Sequence, residues 1–563
     1  MTEEADLPSD EPVTTADDAP SEGAVAALPE RVADELGVDL AAYLLGCQPG
    51  DLSSYSSGEV QLSEGQLAVL ADLAHLRTQL PESLNFKDVA VGVLTQFNDD
   101  GISIARTLRL ISLADERVPA GQTEVEMALV QIALDAYPAF LFLSELDPFP
   151  IPMPMMNLGN RHVTALLFRH PAASRFSGAV LQDAVFKQVF TYVNEHAGHV
   201  ANVFRNTGNG GGLQLSMLPD MLVHRAWTQI DKGVISPGDF AKRVLQELHL
   251  VRAVFAGKSR SATALVGMAG VLLPPGIQLT VGNVLIRPTA GMDKQFIPPG
   301  IQGKLAGTDA GGVTTTISYE GDLVMEVKFP YKVRIIPEGI GLSEWPEDLQ
   351  PPKEIEQALI RLRFALLLAV EREGHRPQIV PTWRIYDEPI KQGFSASWND
   401  SRQTSSLVPT QLSEEDVAAW QEWYDRLSDP SVAKIELAMT RVLRAIAERR
   451  ELSDVLIDSV IAWENLFGTK EGEPTFRITS CLAKLLCAPG PERLELRREL
   501  GKIYGLRSDI VHGASNLEAR HQSRCHEALD VAIRAIKILV SERRDILAEK
   551  DGALRSAALL LGD

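Results

Sequence analysis

Tyr504-Gly505-Leu506-Arg507-Ser508-Asp509-Ile510-Val511-His512-Gly513 is the stretch on which the reading of this chain turns. It sets an arginine and a histidine five positions apart at the end of a helical pattern, with a glycine directly behind. A guanidinium can grip a phosphate through forked hydrogen bonds, and an imidazole can move a proton near neutral pH. Those are the two reagents that cutting RNA without a metal requires. Five residues along a helix turn through about 500°, or roughly 140° around the axis. Arg507 and His512 therefore diverge on a straight helix. Gly513 supplies a stop, so His512 can sit at the frayed end and turn back.

Outward from this stretch the pattern is helical throughout residues 412–549. Ser413, followed by Glu414, Glu415 and Asp416, opens the first helix, with acids suited to its N-terminal dipole. Further helices are predicted over Ser431 to Arg449, Leu452 to Phe467, Phe476 to Cys487, Glu492 to Val511 and Leu517 to Leu547. The breaks fall at Gly468 to Pro474 and Ala488-Pro489-Gly490-Pro491. Residues 550–563 read as a C-terminal tail.

Within this domain, Leu456-Ile457-Asp458-Ser459-Val460-Ile461-Ala462-Trp463-Glu464-Asn465-Leu466-Phe467, Phe476-Arg477 and the Tyr504 to Gly513 stretch resemble the Apea-like HEPN domain family. The resemblance covers roughly residues 412–548. It implies an all-α helical bundle and, in many members, metal-independent RNA cleavage by dimers that bring two Arg-x4-6-His motifs into one cleft. Carried over, Arg507 contacts the scissile phosphate and His512 is the general acid or base in attack by the ribose 2′-hydroxyl. Ser508, Asp509 and Glu464 are supporting candidates. Asp509 can orient His512 or Arg507. Glu464 matches an acidic position of the family helix, or forms a structural salt bridge with Arg477 or Arg507. Active relatives often carry Asn, Asp or His where this chain has Ser508, which keeps a non-catalytic RNA-binding or dimerisation role open as the second reading.

The remaining chain reads as a multidomain α+β protein. Residues 1–29 form an acidic tail too poor in bulky apolar residues to fold. Residues 30–84 form a small helical domain, with helices over Arg31 to Leu45 and Ser63 to Leu80. In the latter Ser63 is the cap, and Leu67, Leu70, Leu73 and Leu76 lie along one side. From Leu36 through Tyr55-Ser56-Ser57-Gly58 to Leu80 this resembles the small helix-turn-helix domains of bacterial repressors. Its recognition segment would hold no Lys or Arg, which favours a protein-contact bundle over DNA binding. Residues 85–258 read as a helical domain, clearest over Phe186 to Phe204 and Pro237 to Phe255, with a Pro- and Met-rich break from Leu146 to Met156 and a flexible loop from Asn206 to Gly212. Residues 262–411 change to a period of two, a small antiparallel β domain with one helix over Ile355 to Glu373. Leu279, Val281, Val284 and Ile286 alternate around Gly282-Asn283, a hairpin turn is expected at Glu320-Gly321-Asp322 between strands over Val313 to Tyr319 and Leu323 to Ile336, and one or two further strands over Gln378 to Ser397.

Composition bounds the function. The chain has 563 residues, too many for one core, and carries a formal net charge of −21. Residues 1–100 hold 20 acidic side chains against Arg31, Arg77 and Lys87, so −17 of that charge lies there and only −4 in the rest. Residues 501–550 are mildly basic, nine Lys and Arg against seven acids, which removes an objection to RNA binding. The four cysteines show no Cys-x-x-Cys, and neither a secretory signal nor a membrane span is expected. A reduced, cytoplasmic protein follows from these features. Ala256-Gly257-Lys258-Ser259 ends like a phosphate-binding loop, but Arg252 stands where that loop needs glycine. Glu195, His196 and His199 suit one helical face, but no third metal ligand is indicated by spacing.

The expectation is thus an endoribonuclease without metal or cofactor, its partners RNA, a second copy of itself and a regulatory protein bound by the N-terminal region. A stress, toxin or antiviral defence role is what the resemblance implies. A regulator with a vestigial DNA-binding head is the third reading, opposed by the acid-rich first hundred residues.

Overall fold

Ser63 caps its helix as its sequence predicts, and the way that helix is packed shows how the N-terminal third folds. In the computed structural model the Ser63 hydroxyl accepts from Gln66 N, and Gln66 Oε1 accepts from Ser63 N at 2.9 Å. The helix runs Glu64–Thr78, with Val69, Leu70 and Leu73 buried; Leu67 is exposed. The structure describes residues 28–79, 86–112, 116, 118–142, 170–208, 210–228, 235–289, 304–308, 314–318, 321–337, 350–372, 376–390, 396–398, 409–469, 473–513 and 521–562. The acidic tail, save its last two residues, and the Leu146 to Met156 break lie outside them. Of residues 392–406 only 396–398 are described.

The chain divides into two units. The first takes Met1–Pro152, Gly159–Asp183 and Ser216–Leu248. Its helices do not respect the expected boundary at residue 84. A Cβ on Gly65 would stand 2.3 Å from the Ile111 carbonyl oxygen, so that glycine lets the helices Glu64–Thr78 and Ile104–Ile111 touch. Arg109 donates to the Tyr43 carbonyl at 2.7 Å, and the Tyr43 ring lies 5.5 Å from that of Tyr137. The expected Arg31 to Leu45 helix is two, Leu28–Leu36 and Val38–Leu44, split by Gly37 at φ 94°.

The second unit takes Met153–Leu158, Ala184–Leu215 and His249–Asp563. The helix expected over Phe186 to Phe204 is instead a short 3-10 turn and a hairpin of β1 (Tyr192–Asn194) and β2 (Gly198–Arg205). Asn194 Oδ1 accepts from His196 N and Ala197 N, and Gly198 takes φ 68°, which together reverse the chain. The supposed flexible loop ends in β3 (Gly210–Gln214), paired with β2, so this stretch supplies three strands rather than part of a helical domain. The helix Pro237–Phe255 stands as expected.

The larger sheet has six antiparallel strands. In spatial order they are β13 (Ala396–Trp398), β12 (Val380–Asp387), β4 (Arg260–Ala269), β10 (Leu323–Tyr331), β7 (Val284–Pro288) and β6 (Leu279–Val281). The β6–β7 hairpin turns at Gly282-Asn283 with Leu279, Val281, Val284 and Ile286 all buried, as the alternation predicts. Among the described residues the hairpin expected at Glu320-Gly321-Asp322 is not formed. β9 (Thr314–Ser318) pairs with β8 (Lys304–Thr308), and β10 lies between β4 and β7. Gly270 N donates to Asp322 Oδ2 at 2.6 Å and Asp322 N to the Met268 carbonyl at 2.7 Å, which directs β10 onto β4.

The expected boundary at residue 412 is also not a break. Trp420 of the helix Glu414–Leu427 is fully buried and donates to the Leu362 carbonyl of the helix Gln350–Ala369 at 2.9 Å. Buried Arg363 donates to the Ile379 carbonyl and pairs with Glu448 at 3.0 Å. Sheet residues Ala269 and Val380 share a core cluster with Ala447 of the helix Glu436–Ala447. The bundle continues through Leu452–Phe467, Pro474–Leu486, Pro491–Val511 and Gln522–Ser541. The long final helix breaks where Glu542 N and Arg543 N both bond the Ile538 carbonyl, and a short helix, Arg544–Leu547, follows. The expected tail is a further helix, Gly552–Leu561, with Arg555, Ser556 and Leu559 buried.

Candidate active site at the end of the Pro491–Val511 helix

The helix that carries the motif buries only Leu500, Ile503 and Leu506 completely. That narrow apolar stripe turns Tyr504 and Arg507, one turn apart, toward the helix Leu452–Phe467. Arg507 Nη2 donates to Glu464 Oε2 at 3.5 Å, and the Tyr504 hydroxyl donates to Glu464 Oε1 at 2.7 Å. Of the two partners proposed for Glu464, Arg507 is the one observed; Arg477 Nε instead donates to Ser556 Oγ at 2.6 Å. Burial, then the hydrogen bond and charge of Glu464, push the Tyr504 phenol up to about 12. The hydroxyl is therefore a neutral donor at physiological pH.

Glu464 is held from behind. Trp463 beside it is fully buried and donates to the Ala528 carbonyl at 3.1 Å. At the helix end, buried Arg555 donates to the carbonyls of Asn465 at 2.7 Å and Leu466 at 2.9 Å, satisfying groups a helix terminus leaves open. A Cβ on Gly552 would stand 2.9 Å from the Gly468 carbonyl oxygen, so the last helix closes directly onto this turn. Nearly two turns back, Asp458 is 2% exposed and takes Arg441 at 2.7 Å and Arg449 at 2.6 Å, locking the same helix to its neighbour.

The motif helix ends at His512, whose N–H bonds the Ser508 carbonyl at 3.0 Å, and Gly513 follows at φ 70°. Gly513 is the stop that the sequence predicts. His512 is exposed, whereas Arg507 is partly buried against Glu464, so the two diverge around the axis. Ser508 is partly buried and Asp509 exposed. Among the described residues neither makes a side-chain hydrogen bond to Arg507 or His512. The structure thus joins Arg507 to Glu464 and leaves His512 apart. Tyr504 is the member that sequence reasoning missed. Its signal was available in the spacing, since a residue three before an arginine on one helix shares its face.

The other candidates do not assemble. Glu195 and His196 lie in the β1–β2 turn, and His199 on β2 faces the Phe190 carbonyl at 3.3 Å. Among the described residues no group of three or more His, Cys, Asp or Glu side chains is placed to hold a metal. Gly257 takes φ 81° at the end of the Pro237–Phe255 helix, where its N–H bonds the Val254 carbonyl; it is a helix stop rather than a phosphate loop. The four cysteines are free, and burial pushes the Cys481 thiol up to about 11. Among the described residues no helix is long and apolar enough to cross a membrane. No protein-family model, curated protein or solved structure matches this chain.

Proposed function

We propose that the chain is a metal-independent endoribonuclease whose C-terminal bundle is a HEPN-type domain. The observation that carries this reading is the end of the motif helix. Arg507 is set against Glu464 within the bundle, and His512 stands exposed at the terminus one turn on. In the reaction the 2′-oxygen of a ribose bonds to the adjacent phosphorus, and the bond from phosphorus to the 5′-oxygen breaks. A base takes the 2′-hydroxyl proton and an acid gives one to the departing 5′-oxygen, leaving a 2′,3′-cyclic phosphate and a 5′-hydroxyl. Arg507 offsets the charge that builds on the phosphate, and His512 moves a proton. One imidazole performs one of these transfers at a time. The divergence of Arg507 and His512 within a chain adds to the case for a homodimer, in which two copies supply acid, base and both guanidinium groups to one cleft.

The setting proposed is the bacterial cytoplasm, in a defence, toxin or stress role, with the N-terminal region bound by a regulatory protein. The test is incubation of the purified protein with a mixed RNA pool in EDTA, beside Arg507→Ala and His512→Ala. EDTA-resistant cutting lost in both variants is expected. Cutting that neither substitution affects, or none in any condition, overturns the assignment. The second reading, RNA binding without cleavage, is favoured by Ser508 and by the inward pairing of Arg507. It predicts retention of RNA that depends on Arg507 but yields no cyclic phosphate.

A further inference from the structure

We infer that Tyr504 is a positioning residue for Arg507: by occupying one oxygen of Glu464, it keeps the guanidinium loosely paired and able to turn to a phosphate. The inference rests on the reading of Arg507 as the phosphate-contacting group.

The geometry is that of a shared carboxylate. Tyr504 takes Oε1 at 2.7 Å, a short hydrogen bond to a charged acceptor. Arg507 reaches Oε2 only through Nη2 and only at 3.5 Å, the long limit of a hydrogen bond. A guanidinium facing an uncommitted carboxylate makes two parallel bonds of about 2.7–2.9 Å. Here the second one is missing, because Arg507 Nε is buried and has no partner. A buried donor left open is unfavourable, so this arrangement holds Arg507 in a poorly satisfied state. The arginine side chain is 22% exposed and the glutamate 31%, which leaves an approach for a phosphate oxygen. The raised phenol keeps its proton at neutral pH and so stays a donor to Glu464. Without the hydroxyl, Glu464 can close on Arg507 with both oxygens and withhold it from RNA.

The experiment compares full-length wild type, Tyr504→Phe, Glu464→Gln, the double variant and Arg507→Ala. Binding is read on a fluorescent single-stranded RNA whose riboses are 2′-O-methylated, which cannot be attacked, and cleavage is read separately as kcat and KM. Tyr504→Phe is expected to bind about tenfold more weakly, with its melting temperature unchanged or raised. Glu464→Gln is expected to bind no more weakly than wild type, and the double variant to regain wild-type affinity within about twofold. Those magnitudes follow from tenfold being about 1.4 kcal/mol, the scale of one charge-assisted bond. A merely structural tyrosine would lower the melting temperature and would not be rescued by Glu464→Gln. Wild-type binding by Tyr504→Phe, or a double variant as weak as Tyr504→Phe, overturns the inference. Should Tyr504→Phe fail to fold, weakened binding by Glu464→Gln alone does so. If Arg507→Ala binds like wild type, the reading of the site itself fails. If it binds weakly while Tyr504→Phe does not, only the positioning role fails.

Discussion

At the scale of single residues, the bundle sorts its arginines by how fully each is satisfied. Arg555 spends its donors on helix-end carbonyls, Arg449 bonds buried Asp458 through Nε at 2.6 Å, Arg441 bonds it at 2.7 Å while its own Nε is left without a partner, and Arg507 makes one long contact with Glu464. Burial of Tyr504, with the Glu464 carboxylate second, makes the stability of the fold depend on alkaline pH. The Tyr504 phenol, ordinarily near 10, is pushed up to about 12. Below pH 10 both folded and unfolded chains keep its proton, so pH does not shift the balance there. As pH rises from 10 toward 12 the unfolded chain gives up the proton first, so stability is lost across that window. Melting curves of wild type and Tyr504→Phe from pH 9 to 12 are expected to show the wild type losing more. A constant difference between the two across that range would remove this assignment.

At the scale of elements, helix limits in the bundle were legible because capping and stop residues act locally. Ser413 with Asp416, Pro491 and Gly513 mark termini where the sequence places them. Element type failed over Phe186 to Phe204. The apolar run there suits either period, and what makes it a strand is pairing with β3 and with β11 (Val333–Ile335), the latter some 130 residues on. The last helix was missed for a similar reason. Gly552–Leu561 is short, and its buried face is completed by Leu452–Phe467 and Pro474–Leu486 rather than by itself. Its attachment predicts a measurable loss. Arg555→Ala leaves the Asn465 and Leu466 carbonyls open inside the bundle and should cost about 3 kcal/mol in urea unfolding. A change under about 0.5 kcal/mol would mean that this helix does not hold the Glu464 helix in place.

At the scale of the whole molecule, charge is the feature that sequence reports most directly. Residues 1–30 hold nine acidic side chains and no Lys or Arg, against the mildly basic 501–550 segment. A screening role proposed for this tail is electrostatic, so it fades as added salt shortens the Debye length, about 10 Å at 0.1 M. Deleting residues 1–30 is expected to tighten RNA binding severalfold at low ionic strength, with the difference vanishing as salt is raised. Binding and cleavage unchanged by the deletion at every salt concentration would dispose of this screening role.

By itself the sequence determined the charge asymmetry, the helices of the bundle up to the last, and the placement of Arg507 and His512 at a helix end. Each depends on residues within a turn or two of one another. Only the tertiary structure decided that 28–79 packs with 86–142, that the β-rich region runs into the bundle through Trp420 and Arg363, and that Glu464 is shared by Tyr504 and Arg507. Apart from the bond of Arg363 to the Ile379 carbonyl, these join groups 40 or more residues apart. Local propensity carries no information about which distant surface will bury a given face, so such contacts became legible only once the chain was packed.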